Sequence, residues 1–248
     1  MKKQSLIICF LLCLSISLHA QDAKEIIRKS NDLLNGKTSK VTMTMNIVRP
    51  EWKRSMTMKS WSKGTEYFLV LVTAPAKDRG TSSLKRGNEL WNWMPSIERT
   101  IKVSPSMMSQ SWMGSDFTND DLLNASSIVD DYTHDIVAEE KVNGYDCWKI
   151  QLTPKEDAAV VWSKVFMWIS KEGYWQLKSE NYDEDDYLVN TMNAYDIKQL
   201  GDRKIPSRME MIPADEEGNK TVLIYQEAEF DTPIPDSFFS MQNMKRVR

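Results

Sequence analysis

From Ser39 to Phe230 the chain is a succession of short segments in which apolar and polar residues alternate, each cut off by a turn. In the first, Val41, Met43, Met45 and Ile47 fall on one side and Thr42, Thr44 and Asn46 on the other, which is the period of a half-buried β-strand. Further strand-like segments cover residues 52–59, 66–73, 81–86, 89–94 and 99–103, then 135–142, 145–153, 160–170, 175–182, 187–200, 207–212 and 221–230. Their connections are short and carry turn formers, notably Asn143-Gly144, Lys171-Glu172-Gly173 and Glu217-Gly218-Asn219. Helices do not alternate with these segments, so a parallel sheet, which needs long crossovers, is excluded in favour of an antiparallel meander. About ten or eleven sequential strands exceed what a twisted open sheet holds without curling. The expected fold is mainly β: an incomplete, strongly curved antiparallel β-barrel.

Two segments depart from the alternation. Residues 22–35 have helical spacing: Asp22 is an N-cap candidate with Glu25 three residues on, Ile26, Ile27, Ser30, Leu33 and Leu34 share a face, and Gly36 follows. Residues 104–127 read as a long loop leading into a short helix near Asn119–Leu123. Long loops in compact domains are functional or disordered, and Met107, Met108, Trp112, Met113 and Phe117 make this one too apolar for disorder. It covers an apolar cavity as a lid, with Gly114 as hinge, or it plugs a small core. The same choice applies to the chain's nine Trp and fifteen Met, which suit a surface that adapts to a flexible apolar guest but also fill ordinary cores. The residues expected to line or close the cavity are Trp91, Trp93, Met107, Met108, Trp112, Met113, Gly114 and Phe117.

The first twenty residues set the compartment. Lys2 and Lys3 precede an apolar run from Leu6 to Leu14 and a more polar stretch ending at Ala20, the layout of a cleavable secretory signal too short to span a bilayer permanently. Residues 1–20 are therefore assigned to a signal peptide, residues 21–248 to one domain, and the protein to the periplasm. Cys9 and Cys13 leave with the signal, so the domain keeps only Cys147 and is stabilised by its core, not by an internal disulfide. Loss of Lys2 and Lys3 takes the net charge from −3 to −5, which argues against nucleic acid or anionic lipid headgroups as partners held by bulk positive charge. No later segment has the length and apolarity of a membrane span.

Catalysis finds little support. The domain has one His and one Cys, no Gly-rich phosphate loop and no calcium-loop spacing in Asp116–Asp121. His134 falls in the acidic run Asp130–Asp135, which reads as a solvated turn. Asp120 and Asp121 fit the first turn of a helix capped by Thr118 or Asn119. No catalytic residue, metal site or cofactor is assigned.

Two segments carry a resemblance. Gly87-Asn88-Glu89-Leu90-Trp91-Asn92-Trp93-Met94-Pro95 followed by Arg99, and Ser111-Trp112-Met113-Gly114-Ser115-Asp116-Phe117-Thr118-Asn119-Asp120-Asp121-Leu122, are similar to segments of the LolA-like family of outer-membrane lipoprotein-sorting proteins. The amphipathic helix followed directly by an alternating strand resembles the same family. The resemblance implies a cupped, incomplete barrel with helices over its mouth, binding the acyl chains of a lipoprotein or other lipid for transfer toward the outer membrane. A membrane transporter or an outer-membrane acceptor would be its protein partner. An alternative within the same fold is a lipid or lipoprotein sensor, or an accessory subunit of a transporter. Family carriers hold their lid with an arginine. Here Lys63 aligns with it as the possible latch, and a lysine lacks the guanidinium's planar fork of donors.

Overall fold

The structure, a computed structural model, describes residues 23–124 and 127–247. The expected signal peptide and the Asp22 cap lie outside the described residues. Thirteen strands form one antiparallel sheet, two more than the upper expectation, because every alternating segment is a separate strand. The first six are β1 (Thr38–Val48), β2 (Lys53–Lys63), β3 (Tyr67–Ala74), β4 (Ser82–Arg86), β5 (Glu89–Met94) and β6 (Arg99–Lys102). The others are β7 (Tyr132–Val142), β8 (Tyr145–Pro154), β9 (Lys164–Ser170), β10 (Gln176–Tyr182), β11 (Leu188–Leu200), β12 (Arg203–Pro213) and β13 (Lys220–Phe230).

Spatial order runs β6-β5-β4-β3-β2-β1-β13-β12-β11-β10-β9-β8-β7. The first and last strands are thus neighbours at the centre, paired from Ser39 with Phe230 to Val48 with Lys220 across a bulge at Thr42/Met43. Two meanders run outward from this seam, and the sheet ends at β6 on one side and β7 on the other without closing. Residues 103–131 carry the chain from one edge to the other.

Helix α1 (residues 23–35) buries Ala23, Ile26, Ile27 and Ser30. Its apolar face packs against Tyr132, Ile150, Leu152, Val165, Met167 and Ile169 on the inner face of β7–β9. Gly36 ends it with φ +63° and its N–H on the Asp32 carbonyl at 2.8 Å, the left-handed terminus that glycine adopts at least cost. Arg203 donates to the carbonyls of Asp32 and Leu33 at 2.7 and 3.2 Å, satisfying orphan acceptors of the last turn. On the other half of the inner face, Val41, Met43, Met45, Ile47, Met56, Met58, Val70 and Val72 form a second cluster.

The outer face of β2–β4 is covered as well. After β13 the chain folds back, and Phe239, Met244 and Val247 pack on Trp61, Leu69, Leu71 and Leu84. A one-turn helix, α3 (Met241–Met244), is capped by Ser240 Oγ, which accepts from the Asn243 N–H at 3.2 Å. Phe239 stacks on Tyr67 with ring centroids 5.2 Å apart. Strand β3 is therefore buried on both sides.

One expectation is overturned here. β7 begins at Tyr132, three residues before the expected strand, and His134 is a buried inward residue 4% exposed, not part of a solvated turn. Its Nε2 lies 2.7 Å from the Ile128 carbonyl, and burial holds its pKa below the usual imidazole range.

Phe239 is fully buried, so Phe239→Ala is expected to cost about 3–5 kcal/mol in urea unfolding followed by far-UV circular dichroism. A loss under about 1 kcal/mol, the range of substitutions that open no core cavity, would show that the C-terminal cover is not part of the cooperative unit.

Candidate functional site

The concave face holds a cavity of about 330 Å³. Its wall is built largely from the inward positions of the alternating strands, and methionine dominates: Met43, Met58, Met167, Met192, Met209 and Met211 all line it. Leu34 of α1 closes one side, and Trp112 and Phe117 of the crossing segment line another. Most of the exposed lining is apolar, but polar residues such as Ser60, Thr65, Gln176 and Ser179 line it too, and some pair within the wall: Ser39 with Ser62 at 2.7 Å, and Asn181 Nδ2 donating to Asn190 Oδ1 at 2.9 Å. Tyr225 presents its ring to the cavity, and desolvation pushes its hydroxyl pKa up to about 12. One region of the wall is charged, where Lys85, Asp120, Asp121 and Tyr132 converge.

The crossing segment is fastened over this space. Trp112 is 6% exposed, packs into the inner cluster of β1–β3 and donates from Nε1 to Ser83 Oγ at 3.1 Å. Its N–H donates to the Phe117 carbonyl at 2.7 Å and its carbonyl accepts from Ser115 at 3.0 Å, so residues 112–117 form a compact loop. At the tip Met113 and Gly114 have φ of +55° and +77°. A methionine in that region is strained, and its packing against the inner cluster, with the hydrogen bonds that close the loop, holds it there. The short helix α2 (Asn119–Asn124) follows. Thr118 Oγ1 accepts from the Asp121 N–H at 3.1 Å while Asp121 Oδ2 accepts from the Thr118 N–H at 2.7 Å, a reciprocal cap. Asp121 Oδ1 also accepts from Trp162 Nε1 at 3.2 Å. Burial still outweighs these bonds and raises the Asp121 pKa above the usual carboxylate range.

An ion pair fastens the loop. Arg49, in the β1–β2 turn, makes a two-pronged contact with Asp116, Nη2 to Oδ1 at 2.9 Å and Nη1 to Oδ2 at 3.1 Å. The side chains are 15% and 6% exposed. Arg49 also donates to the Gly114 carbonyl at 3.3 Å, and Arg54 to that of Met113 at 3.3 Å. Asp116 accepts from Thr221 Oγ1 at 2.6 Å.

The expected site residues divide. Trp112 and Phe117 reach the cavity wall, Met113 packs beside it and Gly114 is exposed at the loop tip. Met107 and Met108 pack on Leu90 and Val103, holding the start of the crossing segment against β5. Trp91 and Trp93 are not brought to the cavity: they lie on the outer face under the C-terminal cover. Lys63 does not hold the loop either, and its ion pair is with Asp236 of that cover. Arg49, Asp116 and Lys85 were missed. An aspartate inside an otherwise apolar loop demands a cation, and that was the available signal for the first two. Among the described residues no group of three or more metal-ligating side chains is present.

Asp116→Ala leaves the Arg49 guanidinium without its carboxylate where water is scarce. The expected outcome is at least about tenfold faster amide exchange at Trp112 and Ser115, with β1 and β2 amides unchanged. Equal acceleration throughout β1 and β2 would make Asp116 a residue of the global core instead of a latch.

Comparison with known proteins fits this architecture. No curated protein matches the chain. Three of the solved structures that match it align over nearly all of it with high similarity. A DUF1329 family protein from Desulfovibrio piger has a TM-score of 0.82 at 23% identity, covering 91% of this chain and 99% of its own. A domain from Vibrio parahaemolyticus named for outer-membrane lipoprotein sorting has 0.80 at 24%, covering 92% and 100%. A LolA superfamily protein from Nitrosomonas europaea has 0.76 at 25%, covering 89% and 98%. A family model described as "Uncharacterized protein" matches residues 64–246. The chain belongs to the family that this model describes, and its fold is the LolA-like fold of these lipoprotein-sorting and DUF1329 domains.

Proposed function

We propose that this protein is a periplasmic carrier that takes the acyl chains of a lipoprotein or lipid into its methionine-lined cavity, for transfer toward the outer membrane. The observation that carries the reading is the pairing of that cavity with an apolar loop fastened over it by the Arg49–Asp116 ion pair. Burying acyl methylenes gains about 0.8 kcal/mol each, so a sixteen-carbon chain gains roughly 10 kcal/mol before ordering costs. Unbranched methionines repack around a flexible chain at low cost. No proton transfer or nucleophile is needed for uptake or release, and the cavity's role is binding. The secretory-signal layout of residues 1–20 and the names of the aligned sorting domains support the compartment and the direction of transfer.

The test uses a fluorescent acyl probe on protein purified without detergent, with mass spectrometry of its organic extract for co-purified lipid. Trp112→Asp puts a charge against apolar wall when the loop is closed and in water when it is open. The expected result is probe release accelerated about tenfold or more, with a small fall in the melting temperature of probe-free protein. A large fall in melting temperature with an unchanged release rate, or no probe binding by the wild-type protein, would overturn the reading.

A further inference from the structure

The one cation among the described residues of the cavity wall is Lys85. It projects inward from β4, where it is paired with Phe68 of β3 and Leu90 of β5. The neighbouring inward position on the same strand, Ser83, receives the Trp112 indole. Lys85 is 6% exposed. A lysine there is costly, because an ammonium withdrawn from water loses hydration that only a close anion replaces. The acidic groups facing this region are Glu66 before β3, Asp120 and Asp121 on α2, and Asp131 before β7, with the Tyr132 hydroxyl beside them. Their supply of charge is incomplete. Glu66, Asp131 and Asp120 attract the ammonium, yet burial outweighs them and holds the lysine below its usual range, while Asp121 is engaged by its cap and by Trp162 and is pushed toward its neutral form.

The rest of the wall is of the opposite character. Across the β1–β13 seam from Lys85, Met192, Met209 and Met211 line the cavity from β11 and β12. A molecule that satisfies both regions has a negative head and an apolar tail. We propose that the cavity selects an anionic amphiphile, a long-chain carboxylate or a phosphate-headed lipid, whose head pairs with Lys85 beneath the Trp112 loop and whose tail runs along the methionines. This rests on the reading of the cavity as an acyl-chain site and narrows its ligand: a neutral acyl chain uses the methionines but adds nothing to the partial compensation of the ammonium by Glu66, Asp131 and Asp120. Closure of the loop over the pair excludes water and strengthens the attraction.

The experiment is calorimetric titration with three ligands of equal chain length, hexadecanoate, hexadecyl phosphate and hexadecanol, against the wild-type chain, Lys85→Met and Lys85→Arg. The wild type is expected to bind at least one of the two anions about tenfold or more tightly than the alcohol, and the tighter anion identifies the head. Lys85→Met abolishes that preference while leaving hexadecanol affinity within about threefold and the melting temperature no lower, since it removes a buried charge. Lys85→Arg retains a preference for the anion, which a merely structural lysine would not predict. Equal binding of alcohol and anions by the wild type, or an anion preference that survives in Lys85→Met, overturns the proposal and leaves the acyl-chain reading intact. Failure of all three ligands to bind the wild type overturns the acyl-chain reading itself.

Discussion

The pairing of β1 with β13 is the contact on which the rest of the molecule depends. It joins Ser39 to Phe230, the two ends of the sheet-forming sequence, and places them at the centre of the sheet. Both meanders must then grow outward, and the strands that end the first and begin the second lie at opposite edges. The chain between them has one short route, across the concave side. A loop over the mouth is therefore a consequence of topology, and its length adds little entropy because closure cost grows only logarithmically. What remained for the sequence to specify was the content of that crossing, and it is apolar where it meets the cavity.

Much of this was legible from residue order, because a period of two is a local signal and each alternating segment became a strand. What alternation does not contain is which side of a strand meets which layer. β3 is apolar on both faces because the C-terminal residues cover the outer one, so Trp91 and Trp93 had equal claims to the cavity and to the cover. Nothing within five or six residues of them decides the matter, since Phe239, Met244 and Val247 come from the far end of the chain. Lys63 failed for the same reason, since its partner Asp236 belongs to the C-terminal cover. His134 failed for a different one: its carbonyl partner, Ile128, is only six residues away, but the acidic run around it masks the inward position that buries it. Trp112 and Phe117 were legible because an apolar residue in a loop has few places to go.

The Arg49–Asp116 ion pair suits a loop that must open, as the proposed carrier requires. A buried ion pair is weak as a source of stability, since desolvating two charges offsets most of their attraction. Its strength is geometric: the two-pronged Arg49–Asp116 contact admits one arrangement of residues 112–117. In the proposed carrier, lifting the loop would return both charges to water together and release Met113 from a strained backbone conformation. On that reading the two forms would differ by less than the contacts of the closed one suggest, so that a ligand favouring one of them could shift their populations. An apolar latch of the same size would gain its burial energy on closing with no hydration to recover on opening.

The same reasoning separates affinity from choice inside the cavity. A wall of methionines rewards every methylene alike and accepts any chain that fits, so apolar burial discriminates weakly between related ligands. A polar group that stays under-compensated until the right ligand arrives discriminates strongly, because a ligand that leaves it unpaired forfeits the difference in full. Lys85 has that position, desolvated by the wall and incompletely balanced by Glu66, Asp131 and Asp120. For the proposed anionic ligand, the stability lost by burying it in the empty protein would become available for distinguishing one head from another. A cup lined only by apolar residues would be the more stable protein and the less selective one.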